Sequence, residues 1–317
     1  MRLLRAELIT LNRPLTWAVA TASTLFCVLL AIGGASNARQ SMTDAAHPPL
    51  SCAALRLPAG PSCTYAQDMQ RQRAKAERAT ATAAAARTAA QLDPLAAGAE
   101  AAGLTASLPG AVALALLAGG HVGGEWSGRT LKHLLTQNGR RHRIMAAKLA
   151  GLWGAAVCLL CACWAGLAAA GPVIRRVEHL PDPHQPARHA LTWAGAEIGR
   201  SLLVLAAFAA IGLLAGVVTR GAIGTAAAGT AAVIAMLIAA ALPGLGRWTP
   251  ATWIQGWMGF AAGQGSISSL PDNFWSRFIS ADGTPPGHGP GLIGVSALFL
   301  VCALAAMQVF RRLDVTG

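Results

Sequence analysis

Residues 199–242 read GRSLLVLAAFAAIGLLAGVVTRGAIGTAAAGTAAVIAMLIAAAL. Two apolar runs, Gly199–Thr219 and Ala222–Leu242, are separated only by Arg220-Gly221. A bilayer core needs about 20 apolar residues per helix. Each run is therefore long enough to cross, and the dipeptide between them leaves room only for a tight turn. Neither run contains Asp or Glu, and only Arg200, at one edge, carries charge. This stretch predicts consecutive antiparallel transmembrane helices and an all-α polytopic membrane protein.

Four more stretches extend the pattern to about six spans: Leu15–Gly34, Gly103–Gly120, Ala147–Gly171 and Gly291–Phe310. No carboxylate falls within any of the six. The second is the weakest, being short and interrupted by Pro109. Neighbouring helices can satisfy the carbonyl that such a proline frees. Charged residues make up 12% of the 317, whereas a soluble domain carries about a quarter. Aromatics are scarce at 5%, so Ala, Leu, Gly and Val supply the hydrophobicity. That composition suits helices packed closely through small residues in lipid.

The formal charge is +12, from 25 basic and 13 acidic side chains. The basic residues flank the apolar runs, so they read as topology anchors beside an anionic membrane surface, not as a nucleic-acid footprint. Arg129, Lys132, Arg140, Arg141, Arg143, Lys148, Arg220, Arg311 and Arg312 join Arg2, Arg5 and Arg13 on one side. This places both termini in the cytoplasm of a multi-pass plasma-membrane protein, in the bacterial inner (cytoplasmic) membrane. Arg175 and Arg176 oppose that orientation.

These runs and charges predict the organisation of the whole chain. Residues 1–14 form an interfacial amphipathic helix, because Leu3, Leu4, Leu8 and Leu11 recur at helical spacing between Arg2, Arg5, Glu7 and Asn12. Spans at 15–34 and 103–120 enclose an extracytoplasmic segment, 35–102, with a helical part over Gln67–Gln91. A cytoplasmic loop, 121–146, leads to span 147–171 and an outer loop, 172–198. Spans 199–219 and 222–242 precede a Trp-rich outer loop, 243–290, then span 291–310 and a tail, 311–317. The competing reading of the N-terminus is a cleaved signal peptide ending at Ser36-Asn37-Ala38.

Cys27, Cys158, Cys161, Cys163 and Cys302 lie in apolar runs, where Cys behaves as a small hydrophobe. Cys52 and Cys63 sit in a polar outer segment, with Pro58, Gly60 and Pro61 between them, and are candidates for a disulfide. His179, His184 and His189 recur every five residues near Glu178 and Asp182. Prolines interrupt them, so a solvated loop is the better reading than a zinc site. Trp248, Trp253, Trp257 and Trp275, four of the nine tryptophans, place the last outer loop at the membrane interface.

An ATP-binding loop must end in Gly-Lys-Ser/Thr. The three lysines, Lys75, Lys132 and Lys148, follow Ala74, Leu131 and Ala147, so the chain holds no such motif and is expected not to be an enzyme. No catalytic, cofactor-binding or metal-binding set is proposed from sequence.

The informative segment is His121–Lys148, HVGGEWSGRTLKHLLTQNGRRHRIMAAK. Ser127 is placed to cap a helix. Leu131, Leu134 and Leu135 make an apolar stripe on it, and Asn138-Gly139 ends it. Here the chain resembles the permease subunits of ABC-2 type transporters, through Glu125, Thr130, Leu134-Leu135, Arg140-Arg141 and Lys148. Gly128 stands a place early, and Asn138 replaces a usual Pro. Arg5–Leu8, the Val218–Gly221 turn and the Leu242–Pro250 stretch are similar as well. The Ala/Gly/Arg-rich composition resembles that of actinobacterial proteins.

The resemblance implies an ABC-2 permease-like fold and the membrane subunit of an ATP-driven exporter. It would form the substrate path as a homodimer or heterodimer of permeases in membrane lipid, with ATP bound by a separate ABC ATPase subunit. Glu125, Thr130, Leu131, Leu134, Leu135, Arg140, Arg141 and Lys148 are the residues it implies for coupling to that ATPase. Glu125 and Arg141 would hold the element to the ATPase or to a neighbouring helix, and Glu125→Ala is expected to spare insertion. Small residues and charge-free spans suggest a hydrophobic or amphipathic cargo. The alternative is a non-transporting membrane anchor or sensor with a ligand- or partner-binding outer segment.

Overall fold

The computed structural model describes residues 14–46, 51–52, 54, 58, 60–128, 141–182, 186–242, 248–259 and 287–312. Every regular element among them is helical. In chain order these are α1 (Pro14–Asp44), α2 (Pro61–Gln91), α3 (Ala97–Thr105) and α4 (Leu108–Ala118), which runs through a π segment (Gly119–Gly123) into α5 (Gly124–Ser127). Then come α6 (Arg141–Val177), α7 (Ala187–Thr219), α8 (Ala222–Ala241), α9 (Pro250–Met258) and α10 (His288–Arg312). The expected interfacial helix at Leu3–Leu11, the residues Thr130–Arg140, His184 and Trp275 lie outside the described residues.

Helices α1, α6, α7, α8 and α10 are each long and apolar enough to cross a membrane. The pair α3 and α4–α5, bent by 62°, makes up to six spans if it counts as one. The protein is therefore a polytopic α-helical membrane protein. The expected single second span is replaced by this bent pair, a broken span if both halves cross together. Thr105 donates its hydroxyl to the Ala101 carbonyl at 2.8 Å, and Ser107 donates to Leu104 O at 2.6 Å, closing the first half. Pro109 sits in the first turn of the second half, where its missing N–H costs nothing.

The broken span also corrects the expectation of charge-free spans. Its first half begins at Ala97, upstream of the apolar run, and so includes Glu100. Its last turn includes Glu125, and α7 begins early enough to include Glu197. Glu197 is paired with Arg200 at 2.8 Å, one turn along the helix.

Several helices run past their apolar stretches. At 1.5 Å per residue, the 31 residues of α1 span about 46 Å and the 37 of α6 about 55 Å, against a hydrocarbon core of about 30 Å. Helix α6 carries Pro172 in its interior and continues to Val177, leaving little of the expected loop after Gly171. Beyond the apolar stretches, α1, α2 and the end of α6 pack on one another. Ala35, Ala38, Ala85, Ala89, Leu92, Ile174 and Leu180 form a small core there. Ala38, the last residue of the candidate cleavage site, is buried in this core in the middle of a continuous helix. Arg78 of α2 donates to the carbonyls of Ala45 and Ala46 at 2.7 and 3.2 Å, occupying orphan acceptors at the end of α1. Cys52 and Cys63 are joined in a disulfide beside the start of α2, with Cα atoms 5.8 Å apart.

The main core draws on α1, α3, α4 and α6 through α10, with Leu114, Leu152, Val204 and Leu205 fully enclosed. Small residues set the spacing, as close packing in lipid requires. Gly212 of α7 faces Ala118, where a Cβ would come within 2.7 Å, and Gly229 of α8 faces Ala115 at 2.9 Å. Helix α9 lies against α10 because Gly291 and Gly294 leave no side chain under Trp253 and Trp257. The Trp257 indole donates to Arg200 O at 2.9 Å. These tryptophans are thus packing and hydrogen-bonding groups of the bundle, while Trp248 is exposed.

Candidate functional site

The residues singled out near Glu125 gather at the end of the bundle where α6 begins. The Gly-Gly-His-Val-Gly sequence of the π segment brings the chain against the start of α8. A Cβ at Gly119 would lie 2.7 Å from Ala222 O, and one at Gly123 would lie 2.6 Å from Gly221 O. Only glycine permits this approach, and the wider turn of the π form rotates the helix beyond it, Glu125 included. The Thr225 hydroxyl, 3.1 Å from that of Thr219 and 2.7 Å from Gly221 O, ties the α7–α8 turn beneath it.

The consequence is that Glu125 points inward. Its carboxylate lies 2.5 Å from the Lys148 ammonium. Glu125 is 5% exposed and Lys148 1%. A buried pair of this kind stands only because each charge answers the other, since either alone would leave an uncompensated ion. The pair links the end of the broken span to the second turn of α6, across the intervening residues. His121, also buried, stands one helical turn before Glu125.

Around the ion pair is a second apolar cluster, with Val122, Ile144, Met145, Leu213, Val217, Ala306 and Phe310 buried. Trp126 packs edge-on to Phe310, ring centroids 6.1 Å apart and planes at 81°. The Arg220 guanidinium lies 5.8 Å from the Trp126 ring centroid, in cation–π range. Arg220 occupies the left-handed cap of α7, with φ 54°, and its amide donates to Gly216 O at 3.0 Å. Arg141 donates to the Arg311 carbonyl at 3.1 Å, placing a cation at the negative end of the α10 dipole.

The structure therefore unites Glu125, Arg141 and Lys148, while Thr130, Leu131, Leu134, Leu135 and Arg140 lie outside the described residues. Glu125 and Arg141 both contact neighbouring helices, Glu125 through the Lys148 ammonium and Arg141 through the Arg311 carbonyl. Ser127 closes α5, its hydroxyl donating to Gly124 O at 3.1 Å. Sequence reasoning does not find Trp126, Phe310 or the stacking role of Arg220. In sequence Arg220 reads as a topology charge, and a distant Phe at a span's end carries no local signal.

The arrangement fastens the end of α5, the start of α6, the α7–α8 turn and the end of α10 into one unit. Among the described residues, no group of three or more His, Cys, Asp and Glu is set to hold a metal. No family model matches the chain, and neither does any curated protein or solved structure.

Proposed function

We propose that this chain is the membrane-spanning permease subunit of an ATP-driven exporter of the ABC-2 type, coupled to a separate ATPase. The carrying observation is the buried Glu125–Lys148 pair. It clamps both ends of the segment that resembles the family's coupling element onto the bundle. A displacement of that segment would be passed to α6 and to the broken span, because neither end can move without separating two buried charges. Arg220, Trp126, Phe310 and Arg141 extend the same unit to α8 and α10. ATP-driven closure of the partner would supply the differential binding that a conformational switch needs.

This reading places the clamped end and both termini in the cytoplasm. The Cys52–Cys63 disulfide supports it, since it belongs to the opposite end, where an oxidising compartment preserves such bonds. Glu100, Glu125 and Lys148, all inside the bundle, remove the charge-free-span argument for an apolar cargo.

The test is affinity purification from native membranes in mild detergent, with mass spectrometry of whatever co-purifies. An ABC ATPase recovered in stoichiometric amount, with ATP hydrolysis that responds to the permease, supports the proposal. Recovery of the chain free of any ATPase, under conditions that preserve its fold, rejects it.

A second reading, an anchor or sensor with an outer binding segment, draws on one observation. A cavity of about 530 Å³ opens between α1 and α2, lined by Ser41, Asp44, Glu77, Thr80 and Arg87.

A further inference from the structure

At the far end of α6 from the Glu125–Lys148 pair, one cation is left without a counter-charge. The apolar stretch of α6 ends at Gly171, and Arg175 and Arg176 follow it on a helix that continues to Val177. Arg175 Nε and Nη1 are closed off from solvent and have no hydrogen-bond partner among the described residues. The residue as a whole is half-buried, so it is not sealed in the core. The acid one turn further on, Glu178, is already engaged: its carboxylate accepts from Arg39 of α1 at 3.5 Å. Guanidinium N–H groups shut away from water without an acceptor are costly. Arginine cannot shed its proton to escape that cost.

Packed neighbours fix where this cation stands. Ile174 and Leu180, before and after it in the chain, are buried in the small core shared by α1, α2 and the end of α6. The Leu180 amide donates to Arg175 O at 3.0 Å, which pins the backbone there. Helices α1 and α6 approach closely at Gly166, where a Cβ would collide with the Thr24 methyl. They are still in contact beyond their apolar stretches, through Arg39 and Glu178. Arg175 lies about 6 Å along the helix past Gly171, and Arg39 about 7.5 Å past Gly34. The headgroup layer of one leaflet is about 5 to 7.5 Å thick. Arg39, Arg175 and the exposed Arg176 therefore stand at headgroup depth, and Glu178 pairs with the first of them.

We propose that Arg175 is the centre of a phosphate site for the headgroup of an anionic phospholipid, with Arg176 and Arg39 adding positive charge around it. A guanidinium suits this ligand, because its planar fork matches phosphate oxygens and it is more weakly hydrated than an ammonium. Three cations against one carboxylate favour a headgroup of net negative charge. A zwitterionic headgroup would bring its own ammonium against the same arginines. Phosphatidylglycerol has the required chemistry, a single phosphate and no cation. The site also accounts for Arg175 and Arg176 standing against the charge pattern that orients the chain: they act as lipid ligands, not as topology signals. It rests on the place of Arg175 along α6 and is independent of the coupling reading.

The test uses the full chain in detergent, stripped of co-purifying lipid, with phosphatidylglycerol and phosphatidylcholine of matched acyl chains as probes. Native mass spectrometry should show phosphatidylglycerol retained, and phosphatidylcholine retained about fivefold less or weaker still. Arg175→Gln should lower phosphatidylglycerol retention about tenfold or more. Arg175→Lys should lower it by less, because the charge remains without the fork. Arg312→Gln, which removes an exposed cation at the other end of the bundle, should leave retention unchanged. Melting temperatures separate a ligand from a structural role. Arg175→Met keeps an apolar stem and loses the unanswered donors. It should match or exceed the native chain without lipid and fall below it with phosphatidylglycerol present. Equal phosphatidylglycerol retention in Arg175→Gln overturns the proposal, and so does an Arg175→Met variant destabilised equally with and without lipid. If inorganic phosphate raises the native melting temperature and no lipid is retained, the site takes a free anion and the lipid assignment is overturned.

Discussion

The Lys148 ammonium sits 2.5 Å from the Glu125 carboxylate, and both side chains are buried inside the bundle. The pair changes what substitution does. From sequence, Glu125→Ala is expected to spare insertion and lower only transport. Burial makes it a structural change, because it strands Lys148 without its counter-charge. Breaking such a pair costs about 3–5 kcal/mol. Glu125→Ala and Lys148→Ala should each lower thermal stability in detergent and the amount of protein in the membrane. The double variant Glu125→Leu/Lys148→Met should recover much of the loss. Single variants as stable as the native chain, by thermal unfolding in detergent, would show that the pair is not a clamp.

Arg141 gives the cleaner probe of coupling. It is half-buried, and its side chain donates a hydrogen bond to the Arg311 carbonyl. Arg141→Ala should cost at most about 1–2 kcal/mol of stability. Membrane level should stay near normal while ATP-dependent transport falls, in vesicles reconstituted with the partner ATPase. Unchanged transport would leave Arg141 as a helix-end contact alone.

Helix packing at the glycines supplies a paired comparison. Gly123→Ala would press a methyl against Gly221 O and the Thr225 hydroxyl. Overpacking of this kind costs about 1–3 kcal/mol. Gly154→Ala meets no atom within 4 Å and also raises helix propensity. Melting temperatures should therefore separate the two, with Gly123→Ala lower and Gly154→Ala equal or higher.

The Cys52–Cys63 bridge spans a sequence separation of 11. Closing a loop of this size is worth about 3 kcal/mol to local order. Peptide mapping without reductant should recover the two cysteines linked. Cys52→Ser should increase proteolysis near the start of α2 and leave the membrane bundle intact. Two free, alkylatable thiols in native membranes would reject the bridge.

Topology should track the helices, not the apolar runs. Because α1 continues to Asp44 and α6 to Val177, reporters placed after Gly34 or Gly171 would cut a helix. Fusions after Ala46 and Asp182 should read outside, and fusions at Gly139 and Gly317 inside. An outside signal at Gly139 would remove both the orientation and the coupling role.

The sequence alone determined that this is an all-helical membrane protein, since runs of about 20 apolar residues leave few other ways to satisfy the backbone in lipid. It located the α7–α8 turn at Arg220-Gly221 and drew attention to Glu125, Arg141 and Lys148 as a group. Tertiary structure decided what those residues do. Hydropathy averages over a window, so it cannot show that Glu125 turns inward to Lys148 or that the second span begins at Ala97 and takes Glu100 with it. Nor can it show that Arg220, Trp126 and Phe310 meet. Those contacts join residues far apart in the chain. They depend on how closely glycines such as Gly123, Gly166 and Gly294 let the helices approach, and that distance is set by packing in three dimensions.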